Sequence, residues 1–116
     1  MARSYVPRRG DLVWLSFQPQ AGHEQSGRRP AVVLSPEAYN QKVGLALFCP
    51  ITSQVKGYTF EVPLPSGLAV SGVVLSDQVE SLDWRKRRAE YAGRLPIQSV
   101  QEIIDKLAAL VLQTES

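Results

Sequence analysis

The sequence has one cysteine and one histidine in 116 residues. A single thiol excludes an intrachain disulfide framework and any Cys-based zinc site. A single imidazole excludes a His-rich metal centre and the paired-histidine motif of metalloproteases. Neither a metal nor a cofactor is expected. No apolar run approaches the ~18 residues that a spanning helix needs. The opening stretch Met1–Leu12 has basic residues but no apolar segment of the kind that marks a secretory leader. A cytoplasmic protein without a membrane partner is therefore expected. Charge of one sign is also scarce. Thirteen basic and eleven acidic residues leave +2, too mild to announce nucleic acid without a telling distribution. Glycine-rich dinucleotide or phosphate loops and a Ser-His-Asp order are missing as well.

What remains has the balance of an ordinary globular chain, with 44% hydrophobic and 21% charged residues. The length suits a single domain over 1–116. The 8 Gly and 8 Pro punctuate it from end to end, as many short strands joined by turns require. Asp11–Phe17 reads as a strand, with Leu12, Trp14 and Ser16 on one face and Val13, Leu15 and Phe17 on the other. Gln18–Arg29 reads as a loop. Pro30–Ser35 is a β-branched strand with proline at its first position. Pro36–Val43 is expected to turn the chain. Gly44–Ile51 is another strand, with Pro50 expected to interrupt its pairing. Tyr58–Leu64, Gly72–Val79 and Glu90–Gly93 are further strands, and Trp84–Arg88 a short helical turn. Only the C-terminus has helical periodicity, with Ile97, Val100, Ile103, Ile104, Leu107, Leu110 and Val111 on one face and Pro96 near its first position. The fold class is mainly β: a small, twisted barrel with a C-terminal helix packed on it.

Chemistry concentrates in a few places. The Gln18–Arg29 loop is long for a compact β domain and gathers His23, Glu24, Gln25, Arg28 and Arg29. Arg29 stands at a strand entrance, where a fixed backbone can aim its guanidinium. Thr52 and Ser53 end a strand, where hydroxyls either hold a phosphate oxygen or satisfy a turn. Asp77 interrupts an apolar run as a paired structural carboxylate or a site residue. Arg85–Arg88 beside Trp84 is either a solvated turn or a phosphate-tracking patch with an aromatic that stacks a base. Cys49 reads as an inert core thiol.

The run Gly22-His23-Glu24-Gln25, then Gly27-Arg28-Arg29-Pro30-Ala31-Val32-Val33-Leu34-Ser35, resembles the MazF/PemK family of toxin endoribonucleases. The likeness continues through Tyr39-Asn40, Pro50-Ile51-Thr52, Lys56-Gly57-Tyr58, Phe60-Glu61-Val62, Gly72–Leu75 and Asp77-Gln78-Val79, and is greatest to the MazF branch. It implies an SH3-like barrel with a C-terminal helix, a homodimer, and a MazE-like cognate antitoxin as partner. It also implies metal-independent cleavage of single-stranded RNA, through a 2′,3′-cyclic phosphate and a 5′-OH.

Arg29 and Thr52 match the family's catalytic pair, and Glu24 an acidic residue of the MazF branch. The implied RNA contacts are His23, Gln25, Arg28, Lys56, Asp77, Gln78, Arg85 and Arg87. The PemK branch has an arginine where Leu75 stands, so its acid–base assignment does not transfer intact. Glu24, His23 and Asp77 remain the acid–base candidates. The same barrel serves gyrase-poisoning CcdB toxins, and a non-catalytic RNA-binding module is the other alternative.

Overall fold

The computed structural model describes residues 5–16 and 27–115. Its strands are β1 (Asp11–Ser16), β2 (Arg28–Val33), β3 (Leu45–Thr52), β4 (Glu61–Pro63), β5 (Val73–Leu75), β6 (Glu80–Asp83) and β7 (Glu90–Arg94). Two helices, α1 (Glu37–Val43) and α2 (Ile97–Val111), complete the elements. The expected strand position Phe17, and the loop residues 18–26 with the candidates His23, Glu24 and Gln25, lie outside the described residues.

The strands form one antiparallel sheet in the order β4-β5-β3-β2-β1-β7, with β6 also on β3. Among the described residues β4 and β7 do not pair, so the expected barrel is not closed. The period-two reading of β1 holds. Leu12 packs, with Trp14 against it, in a core that includes Val32, Cys49, Val62, Val74 and the α2 residues Val100 and Ile103. Val13 and Leu15 pack in a second core with Ala31, Val33, Ala46, Phe48 and Trp84. Each such burial contributes about 1.5–3 kcal/mol, and a one-residue register slip would turn each set into the core shaped for the other.

Pro50 does not end β3. Ala46–Phe48 pair with β6, and Ile51 and Thr52 pair with β5. Pro50 stands at this change of partner, so its missing N–H falls at a natural gap in the ladder. The expected Tyr58–Leu64 and Gly72–Val79 strands shrink to β4 and β5, and β6 was not anticipated. Residues 36–43 do more than turn the chain. Pro36 precedes α1, and Gly44 closes it in a left-handed conformation (φ 84°), its N–H donating to the Asn40 carbonyl. Trp84–Arg88 is the short turn expected, with the Arg87 N–H donating to the Asp83 carbonyl at 3.0 Å. Pro96 occupies the N-cap of α2, and Ile97 is 78% exposed instead of joining the buried face.

Cys49 is fully buried. Burial first, then the nearby Asp77 charge, pushes its thiol up from 9.0 to about 12. The unfolded thiol ionises near its ordinary value while the native one keeps its proton. The contribution to stability is therefore whole below about pH 9 and is lost as pH rises towards 12. Cys49→Ala should flatten the fall of the urea midpoint between about pH 8 and pH 11. A fall as steep as that of the parent chain would contradict this.

Candidate functional site

Strand register builds the site. β2 and β3 pair Val33 with Phe48, Val32 with Cys49 and Ala31 with Pro50. Continued by two residues, this register sets Arg29 opposite Thr52. Antiparallel partners share a face, and both residues line a cleft of about 740 Å³ with Trp14, Pro30, Pro50 and Gln78 among its walls. Arg29 is exposed; its backbone pairs with Leu15, and its side chain has no hydrogen bond or ion pair among the described residues. Its forked donors are available to an anion.

Thr52 is held from three sides. Its backbone pairs with Val73. Its Oγ1 accepts the Gln54 N–H at 3.1 Å, which leaves its own hydroxyl proton to donate elsewhere. Gly72 (φ 122°) lies so close that a Cβ there would collide with the Thr52 carbonyl. Only glycine allows this approach.

A second cavity of about 410 Å³ adjoins the cleft. It is lined by Thr52, Gln54, Lys56, Tyr58, Glu61, Leu75 and Gln78. Thr52, Gln54, Leu75 and Gln78 line both spaces. The segment 53–60 that forms its outer wall is irregular, bending at Ser53, taking a left-handed conformation at Gly57 (φ 74°) and turning at Thr59 and Phe60, and side chains bond to its backbone. Glu61, a buried carboxylate, accepts the N–H groups of Lys56 (2.9 Å) and Gly57 (3.1 Å). The Lys106 ammonium donates to the carbonyls of Thr59 (2.7 Å) and Glu61 (3.1 Å). The Tyr58 hydroxyl donates to Asp77 Oδ2. That bond raises the hydroxyl above its ordinary value of 10.0, so it stays protonated at neutral pH.

The structure therefore groups Arg29, Thr52, Lys56 and Gln78 around adjoining spaces. The Lys56 ammonium has no partner among the described residues. Other expected contacts are engaged in the fold. Arg28 donates to Ser16 Oγ (3.1 Å), the Arg88 carbonyl (3.0 Å) and Glu90 Oε1 (3.0 Å). It ties β1 to β7 and offers few free donors to RNA. Asp77 is half-buried, with Oδ2 on Tyr58 and Oδ1 buried without a partner among the described residues.

The stacking role expected beside Arg85–Arg88 is corrected. Trp84 is buried, and its indole N–H donates to the Asn40 carbonyl at 2.9 Å. Arg85 lies 4.6 Å over that ring, and Arg87 donates to the Ser16 carbonyl. Neither arginine lines the cleft or the cavity beside it. Sequence reasoning overlooked Tyr58 and Gln54 as wall residues. The signal for Tyr58 was an aromatic followed three residues later by a carboxylate in a Gly-containing segment, a pattern common in turns.

Comparison with known proteins completes the picture. Residues 8–111 match the family model of the PemK-like, MazF-like toxin of type II toxin-antitoxin systems. The chain is 50% identical to the endoribonuclease toxin MazF of Escherichia coli (strain K12) over 96% of its own length and 99% of the relative's. It is 58% identical to MazF of Deinococcus radiodurans in its crystal structure (TM-score 0.85), covering 95% of this chain and 100% of that one. A crystal structure of MazE-MazF from D. radiodurans gives 51% identity and the same TM-score, covering 96% and 100%. The chain belongs to the PemK-like, MazF-like family of toxins of type II toxin-antitoxin systems.

Proposed function

We propose that this endoribonuclease toxin cleaves single-stranded RNA at short sequence motifs without a metal ion. The carrying observation is the pairing of Arg29 and Thr52 in one cleft, with an unengaged guanidinium beside a hydroxyl whose proton is free to donate. RNA supplies its own nucleophile. The 2′-oxygen bonds to the adjacent phosphorus, the P–O5′ bond breaks, and a 2′,3′-cyclic phosphate and a 5′-OH result. The 2′-proton passes to a base and the departing 5′-oxygen takes up a proton.

Arg29 stabilises the extra charge on the phosphorane with two parallel hydrogen bonds. Its pKa above ~12 makes it a poor proton donor. Thr52 donates to a phosphate oxygen. Glu24 is the base, with His23 as its alternative or as the acid. Asp77 is the weaker base candidate because one of its oxygens is held by Tyr58 and the other is buried. Among the described residues no three His, Cys, Asp or Glu side chains converge as a metal site. In-line attack needs 2′-O, P and 5′-O nearly collinear, which unstacked strands permit.

The protein would work in the cytoplasm as a homodimer under the control of a MazE-like antitoxin. The MazE-MazF structures of D. radiodurans support that partner. An acidic antitoxin segment would find the unpaired cations Arg29 and Lys56 in its path. No described helix is long and apolar enough to cross a membrane. The test is digestion of a long single-stranded RNA by the purified chain in excess EDTA, with the cut sites mapped by primer extension. Discrete cleavage at a recurring motif is expected. RNA that stays intact in EDTA and is cut only after a divalent cation is restored would overturn the reading.

A further inference from the structure

We propose that the 410 Å³ cavity beside Thr52 is a nucleobase subsite, and that Tyr58 and Gln54 decide which base it accepts. The inference rests on the ribonuclease reading above and adds the place where sequence is read. Its walls suit a planar, polar-edged ring. Tyr58 presents an exposed aromatic face, and Leu75 closes the space with apolar surface. Gln54 and Gln78 bring carboxamides, each with donors and acceptors that can pair with a base edge. Neither carboxamide has a hydrogen bond among the described residues. The cavity shares Thr52 and Gln54 with the catalytic cleft. A base seated there belongs to a nucleotide next to the scissile phosphate.

Specificity needs rigid walls, and the fold supplies them. The Tyr58 hydroxyl is committed to Asp77, so the phenol serves as a stacking face rather than a polar reader. Its ring also meets Phe60 at 5.7 Å between centroids. Glu61 fixes Lys56 and Gly57, the two residues before Tyr58, by accepting their N–H groups. Asp77 is then a positioning residue that acts through Tyr58.

The experiment compares the parent chain with Tyr58→Ala and Gln54→Ala, using sequencing of the 5′ ends released from a long RNA. Circular dichroism reports folding, and steady-state kinetics use the best-cut oligonucleotide. Both variants should relax the cut motif at one and the same nucleotide position. Tyr58→Ala should raise KM about tenfold or more, the scale of a lost base stack, with kcat within about threefold. Tyr58→Phe keeps the ring but loses the bond to Asp77, so it should relax the motif less than Tyr58→Ala and about as much as Asp77→Ala.

Asp77→Asn retains an oxygen that can accept the Tyr58 proton and should cut the parent motif more selectively than Asp77→Ala. An unchanged motif in a folded Tyr58→Ala chain, or in Gln54→Ala if the first does not fold, would overturn the subsite. A fall in kcat at unchanged KM would instead put Tyr58 in the chemistry and overturn it equally. A parent chain that fails to cut RNA refutes the ribonuclease reading itself, and the two failures are therefore distinct.

Discussion

Replacing Arg29 with alanine is expected to slow RNA cleavage about 10²–10³-fold, the usual cost of one preorganised donor to a developing oxyanion. The fold should survive. Arg29 is exposed, its side chain has no partner among the described residues, and the strand pairing with Leu15 uses only its backbone. Arg29→Lys should recover only part of the rate, because an ammonium cannot form two parallel bonds to a phosphate. The measurement is cleavage of a fluorogenic RNA–DNA chimera, with circular dichroism as control. Activity of Arg29→Ala within about tenfold of the parent would remove the residue from the mechanism. Arg28→Ala should behave differently. It should lower stability through the lost tie between β1 and β7, and its effect on rate should follow from unfolding.

The largest expected loss of stability lies away from the cleft, at Asp11. This carboxylate is 1% exposed. It accepts the Tyr5 hydroxyl at 2.5 Å, the Arg8 N–H at 2.9 Å and the Arg94 guanidinium at 2.7 Å. Burial, and then that carboxylate, raise the Tyr5 hydroxyl far above its ordinary value. The network pins the first strand to the last. Asp11→Ala should cost about 3 kcal/mol, the low end for breaking a buried pair, because Arg94 is half-exposed and can rehydrate. Urea denaturation of the variant measures it. A loss below about 1 kcal/mol would mean that the network stabilises no more than an exposed ion pair does.

The legible parts of this fold are those where apolar residues record burial. β1 is buried on both faces, one against α2's core and the other against Trp84, and its unbroken apolar run Leu12–Leu15 records both. The middle of α2 is legible from its helical apolar spacing. Its ends misled, since Ile97 and Val111 continue the apolar spacing but extend past the surface they would cover.

α1 was missed because it buries only Asn40. That side chain donates to the carbonyls of Pro7 and Ser35. A helix anchored by one amide has no apolar stripe to read. Its proline before the start and glycine after the end were the available signals. The strand expected over Tyr58–Leu64 begins only at Glu61, whose carboxylate takes the backbone donors of Lys56 and Gly57 and folds the preceding segment against it.

The site divides in the same way. Arg29 and Thr52 were legible as types placed at strand ends, and strand register brings them together. Arg28 and the Arg85–Arg88 run have the same charge as Arg29, and charge alone does not tell a ligand-facing guanidinium from one bonded to carbonyls. That difference lies in long-range contacts, such as Arg28 to Glu90 or Arg87 to Ser16. No local pattern records them.

The central claim is that the substrate's own 2′-hydroxyl is the nucleophile, with Arg29 and Thr52 arranged around the phosphate it attacks. The most direct measurement uses one oligonucleotide carrying the mapped cut motif, made with and without a single 2′-deoxy substitution on the nucleotide 5′ to the cut. The products are weighed by mass spectrometry. The account predicts that the ribose substrate gives a fragment ending in a 2′,3′-cyclic phosphate, and that the deoxy substrate binds but stays intact. Cleavage of the deoxy substrate at a comparable rate, leaving a linear phosphate, would mean that water attacks the phosphorus and would contradict the account.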